Sequence, residues 1–179
     1  MKRPTFLRVN RFTQKMQAKM ADITFKEIAP EVLKHVNINQ KYLKYGNSIR
    51  KIRNYHFNKK KVAIVVGAGP SLKKNNQIQT IKKYANKAII VACDGSLYYL
   101  LRNNILPDVT VTLDPDDHRM IRWFGDKTLS KKKLLKDDYF RRQDLDHGFK
   151  DEMRANKNII KLFDKFAKKL NIAICTSAS

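Results

Sequence analysis

The stretch VAIVVGAGPSL, Val62 to Leu72, decides the fold. Val62 to Val66 is continuously apolar and mostly β-branched, as expected of a strand covered on both faces in a parallel sheet. Two glycines, a proline and a serine then stop the run. Gly67 stands where the strand must turn sharply, and Gly69 lets backbone approach a ligand with no Cβ in the way. Pro70 suits the first turn of a helix, and Ser71 can cap it or donate its hydroxyl. Such a turn presents N–H groups to an anion, most usefully a phosphate. It lacks the Gly-Lys-Ser/Thr ending of a P-loop, and Leu72 stands where a dinucleotide fingerprint has its third glycine. A plain βα turn is the competing reading.

Outward from this turn the pattern repeats. Ile78, Ile81 and Ala85 fall on one helical stripe, Lys87 to Cys93 reads as a second buried strand, and Leu97, Leu100 and Leu101 face inward from a helix of about two turns. Pro107 to Asp114 reads as a third strand, opened after one proline and closed before another. Strand, helix, strand, helix, strand with short connections is the mononucleotide-binding half of a doubly wound sheet. The expected fold is α/β: a Rossmann-like parallel sheet with flanking helices. Residues 1–58 read as a helical N-terminal preface, with a capping box at Thr24 and Glu27 and short helices interrupted at Pro30; residues 59–179 read as the sheet domain. After a charged stretch from Pro115 to about Phe149, Ile159, Ile160, Phe163, Phe166, Ala167 and Leu170 form the apolar face of an amphipathic helix. NIAICTSAS then supplies a fourth strand, and ending on a strand tip suggests a C-terminally incomplete domain.

Asp94 ends the second strand, Asp114 the third, and Asp116 and Asp117 follow directly. In a parallel sheet those ends open on the same edge as Gly67, where ligands of open α/β sheets bind. Carboxylates facing a phosphate loop repel its ligand unless a hard cation lies between them, and Mg²⁺ held by one or two carboxylates plus phosphate oxygens meets that need. Taken singly, Asp94 can cap the next helix and Asp114 can start a turn. Arg119 and Arg122, three apart, suit a phosphate or a carboxylate; Trp123 suits a base or the core; His118 is a candidate acid or base. Tyr139, Arg141, Arg142, Asp144 and His147 fall in an expected loop or lid.

The chain has 179 residues, 38 Lys and Arg against 16 Asp and Glu, and a formal charge of +22. That favours polyanionic company, although the lysines are spread along the chain, so a solvated surface is preferred over a nucleic-acid patch. Cys93 and Cys175 lack metal or redox spacing and read as reduced core thiols. No apolar run reaches the ~20 residues of a membrane span. A soluble, cytoplasmic protein is expected. Met1 to Ala21 carries six basic residues and no acid, and is read as a basic surface segment over a transit peptide.

The order Gly-x-Gly-Pro-Ser-Leu (Gly67 to Leu72), Asp94-Gly95 before a helix, and Ile105-x-Pro107-Asp108 before a strand ending in Asp114 resembles the MptE-like 6-hydroxymethylpterin diphosphokinase family. That domain is shared with the motility accessory factor (Maf) proteins, which resemble sialyltransferases and are linked to flagellin glycosylation. The likeness is carried by about residues 60–126 and implies two reactions. In the first, ATP and Mg²⁺ bind at the sheet edge and a pterin hydroxymethyl attacks the β-phosphate; Asp94, Asp114 and Asp116 hold the metal, and Gly67, Gly69, Pro70 and Ser71 the nucleotide, with Arg119 and Arg122 nearby. In the second, the loop holds the phosphate of a nucleotide sugar such as a CMP-linked nonulosonic acid, a glycan is the acceptor, and His118 or His147 is the base. Thr112-Leu113-Asp114-Pro115-Asp116 replaces the Thr-Asp-Leu-Asp-Gly of the pterin enzymes and looks closer to the Maf-like branch, whereas the acidic cluster places diphosphate transfer slightly ahead. A third reading is a non-catalytic basic module that binds nucleic acid.

Overall fold

The computed structural model describes residues 11–54, 60–74, 76–136 and 152–178. Four strands, β1 (Val62–Val66), β2 (Ala88–Cys93), β3 (Val109–Thr112) and β4 (Ile172–Ile174), form one all-parallel sheet in the order β1-β2-β3-β4. This is an α/β, Rossmann-like parallel sheet. The expected strands are present, β1 residue for residue and β3 shortened at both ends.

The helices between the strands pack on one face. α2 (Ser71–Lys74) and α3 (Gln77–Tyr84) follow β1, and α4 (Asp94–Arg102) follows β2. Leu72, Ile78, Ile81 and Leu100 join Val66, Ile90 and Ala92 in one buried cluster. The inward face expected of α4 is present: Leu97, Leu100 and Leu101 are fully buried. α5 (Asp117–Phe124) reaches the same face, where Met120 Sδ lies 3.5 Å from Thr112 Oγ1. Beyond α6 (Lys131–Lys136), the amphipathic α7 (Glu152–Phe166) packs on α4 and α5 with Ile159 buried. Buried Asn156 of α7 accepts from Asp126 N and donates to Asp126 O, both at 2.8 Å, which locks α7 to the turn after α5. A 3-10 turn, Ala167–Lys169, then leads into β4.

The opposite face corrects one expectation. Among the described residues β1 is an edge strand and is not covered on both sides, and Val65 is 78% exposed. Because β1, β2 and β3 follow each other in both sequence and space, their crossover helices share a face, and nothing local in an apolar run reveals that arrangement. The β1–β2–β3 unit is the singly wound half that the strand–helix repeat implies. β4 joins outside β3 and not beside β1, so the strand order never reverses. A pair of 3-10 turns, Gln40–Tyr45 and Ile49–Asn54, reaches the β3–β4 flank, leaving a cleft of about 820 Å³ lined in part by Leu43, Ile49, Val109, Val111, Ile172 and Cys175.

The preface also differs from its expected form. A single helix, α1 (Arg11–Asn39), runs through Pro30, and Thr24 and Glu27 lie inside it, so they form no capping box at a helix start. Pro30 brings no N–H for the carbonyl four residues back, yet the helix tolerates the lost bond on its exposed surface. α1 meets the body near its end, where Asn39 Nδ2 donates to Thr176 O at 3.0 Å and Ala178 O at 2.7 Å. No helix among the described residues is long and apolar enough to cross a membrane. Cys93 and Cys175 are free thiols, half-buried and not in the deep core.

Candidate functional site

Parallel pairing brings three strand-to-helix turns to one edge, since Val66 is paired with Ala92, Cys93 with Val111 and Thr112 with Ile174. The turns differ in how they use their own polar groups.

The first, Gly67 to Ser71, is exposed throughout. Leu72 N donates to Gly69 O at 3.1 Å, and the buried Leu72 side chain pins the turn to the core, which accounts for a leucine where a dinucleotide loop has glycine. Neither Gly67 nor Gly69 has a positive φ. A Cβ on Gly67 meets nothing within 4 Å, and one on Gly69 meets only Ser71 Oγ at 3.6 Å. The fold therefore makes no demand for glycine at either position; what the two residues provide is open space before the backbone. α2 is a single turn, so the loop's capacity for an anion rests on its backbone N–H groups, with little help from a helix dipole.

At the second turn Asp94 opens α4, and its Oδ1 accepts from Gly95 N at 2.6 Å. Oδ2 accepts no hydrogen bond among the described residues. Gly95 and Ser96, to which sequence reasoning assigned no role of their own, do the structural work. A Cβ on Gly95 would stand 2.9 Å from Ala68 Cβ and 3.4 Å from Trp123 Nε1, so the absence of a side chain lets α4 meet the first turn. Trp123 is thus a packing group against Gly95. The fully buried Ser96 hydroxyl lies 2.9 Å from Val66 O and 2.8 Å from Cys93 O, sharing one hydrogen between the ends of β1 and β2. A small pair behind a strand-ending Asp was the only trace of this clamp in the sequence.

The third turn satisfies itself. Asp114 Oδ1 accepts from Asp116 N and Oδ2 from Arg119 Nη1, each at 2.9 Å. Asp116 is the N-cap of α5, its Oδ1 accepting from His118 N at 2.9 Å and lying 3.2 Å from His118 Nδ1, with Arg119 Nε 3.8 Å from its other oxygen. Arg122 turns away to pair with Glu152 of α7 at 3.3 Å. Burial pushes the Glu152 carboxyl up, and the Arg122 guanidinium only partly offsets this. The two arginines read as a pair in the sequence therefore serve different partners. Asp108, from the motif ahead of β3, works at the opposite end of the sheet, where it accepts from Ile90 N at 2.8 Å and from Lys60 Nζ at 3.1 Å. His147 and the Tyr139 to His147 loop lie outside the described residues.

The first and second turns meet through Ala68 and Gly95, which places the Gly67 to Ser71 turn next to the turn that carries Asp94. Asp114, Asp116, His118 and Arg119 bond among themselves at the third. The described trio whose ligand atoms all lie within 4.8 Å of one another is neither of these but Glu31, His35 and Asp117. The cleft at the β3–β4 flank is lined by none of the residues of the first two turns.

A family model described as 6-hydroxymethylpterin diphosphokinase MptE-like matches residues 34–171, from the last turns of α1 to the residue before β4. No curated protein and no solved structure matches the chain.

Proposed function

This chain belongs to the 6-hydroxymethylpterin diphosphokinase MptE-like family, and we propose that it binds a nucleoside phosphate against Gly67 to Ser71 and transfers a diphosphate from ATP to a pterin-like alcohol. The observation that carries the nucleotide half is the pair of glycines with no structural reason to be glycine, exposed at the carboxyl edge of a parallel sheet. Backbone N–H groups there meet phosphate oxygens with no side chain between.

Mg²⁺ fits the donor set in a limited way. Asp94 offers one uncommitted oxygen beside the loop, whereas Asp114 and Asp116 are already engaged with Arg119 and His118. An ion held by one carboxylate, phosphate oxygens and water is ordinary for Mg²⁺, and its chemistry there is to neutralise charge on the phosphates. In the transfer the alcohol oxygen bonds to the β-phosphorus, the bond from that phosphorus to the bridging oxygen breaks, and AMP leaves with the electron pair. The alcohol proton needs a base. His118, whose Nδ1 lies 3.2 Å from Asp116 Oδ1, is the group proposed to take it.

A second reading, glycosyl transfer from a nucleotide sugar, is favoured by one observation: both oxygens of Asp114 are committed, which leaves the acidic edge short of metal ligands. Thermal unfolding of wild type and Gly67→Ala with ATP, with and without Mg²⁺, and with CMP-sugars separates the two. Diphosphate transfer expects Mg²⁺-dependent stabilisation by ATP, its loss in the variant, and release of AMP with a pterin alcohol. A metal-independent shift with one nucleotide sugar moves the assignment to glycosyl transfer, and no shift with any nucleotide overturns both.

A further inference from the structure

His35 is the buried titratable group that the nucleotide site does not use. It sits on α1, 6% exposed, with Nε2 buried and without a hydrogen-bond partner. Two carboxylates flank that nitrogen. Glu31 Oε1, one helical turn earlier, is 3.9 Å away, and Asp117 Oδ1, from the first residue of α5, is 3.5 Å away. Both separations exceed the roughly 2.7–3.2 Å of a hydrogen bond. An imidazolium between two carboxylates closes to about 2.7–2.9 Å on at least one of them, so a simple ion pair leaves the stand-off unexplained. Two ligands bonded at about 2.0–2.1 Å to one tetrahedral ion stand about 3.4 Å apart, close to what is seen here.

We propose that Glu31, His35 and Asp117 bind a divalent transition-metal ion, with Zn²⁺ as the reference, through His35 Nε2 and one oxygen of each carboxylate. The imidazole nitrogen selects against Mg²⁺ and Ca²⁺, which take oxygen ligands. Two carboxylates cancel the charge of the ion, leaving no net charge beside the buried ring. The Glu31 and Asp117 side chains are 49% and 56% exposed, so water or a phosphate oxygen completes the coordination from the solvent side. Of the three ligands only Glu31 precedes the span shared with the family, residues 34–171, so the site joins this chain's helical preface to the family domain. It fastens α1 to α5 one residue after the Asp116 cap, whatever the glycine loop binds.

The test titrates the tag-free, chelator-stripped full chain with Co²⁺ and then Zn²⁺, read by calorimetry and visible absorption, alongside Glu31→Gln and Asp117→Asn. Both substituted side chains are exposed, so far-ultraviolet circular dichroism is expected to stay unchanged; His35→Ala, at a buried position, is avoided. Expected are one equivalent of Zn²⁺-displaceable Co²⁺ with a d–d band of nitrogen and oxygen ligation, and at least the ~10–100-fold affinity loss that removal of even an outer partner causes in each variant. Binding that neither variant changes, a cobalt–thiolate charge-transfer band that places the ion on Cys93 or Cys175, or no Co²⁺ binding would each overturn the assignment.

Discussion

The first and third turns lie on one edge of one sheet, yet they answer the same physical problem in opposite ways. Each must accommodate backbone groups left over where a strand ends. The third does so with its own side chains: Asp114 takes Asp116 N, Asp116 takes His118 N, and Arg119 ties both acids together. The first shows no side-chain hydrogen bond of that kind; its glycines stand exposed, with nothing within 4 Å of a Cβ on Gly67 and only Ser71 Oγ near one on Gly69. Acidic residues at a strand tip therefore say little about ligands until their hydrogen bonds are known, whereas glycines that the backbone does not require are the ones a substitution can test.

That contrast can be graded by substitution. The largest effect is expected at Gly125, which ends α5 at φ 81° and ψ 159° and whose Cβ would lie 2.7 Å from Ile160 Cγ1. Gly125→Ala combines a backbone region nearly closed to other residues with overpacking, on the order of 2–5 kcal/mol in a denaturant titration. Gly95→Ala is next, at about 1–3 kcal/mol, because its Cβ meets Ala68 at 2.9 Å. Asp116→Ala removes the α5 cap and is expected to lose about 1 kcal/mol. Gly67→Ala comes last, within about 0.5 kcal/mol of wild type, while nucleotide-dependent stabilisation is lost. If Gly67→Ala unfolds as readily as Gly95→Ala, the distinction between a structural and a ligand-facing glycine collapses. An Asp114→Asn chain that keeps its stability but loses all nucleotide response would sharpen it differently, by moving the third turn into the binding site.

The strands and the α4 core were legible because their signals are local. Val62 to Val66 is apolar and β-branched, and Leu97, Leu100 and Leu101 repeat at helical spacing. Which face of β1 is covered was not legible, since that depends on strand order, a property of distant pairings. Pro30 marked a break in the sequence, but a lost hydrogen bond on an exposed helix is too small to force one. The glycine turn was read as a phosphate loop opening a helix; the structure shows the turn exposed, with the single turn of α2 behind it. His35 escaped because its partners are split: the Glu31-x-x-x-His35 spacing is visible, but Asp117 reaches it only through the fold.

The grip of Asn39 on the far end of the chain bears on the order of folding. Its amide spans 137 positions to Thr176 and 139 to Ala178, whereas β1, β2 and β3 pair across single short crossovers. The entropy cost of closing a loop rises with its length, by about 0.6 kcal/mol per doubling, and contacts close in sequence form sooner. The β1-to-β3 unit is therefore expected to assemble early. The junction of α1 with the segment after β4 closes last, so it is the first place where amide protons exchange when the native molecule breathes.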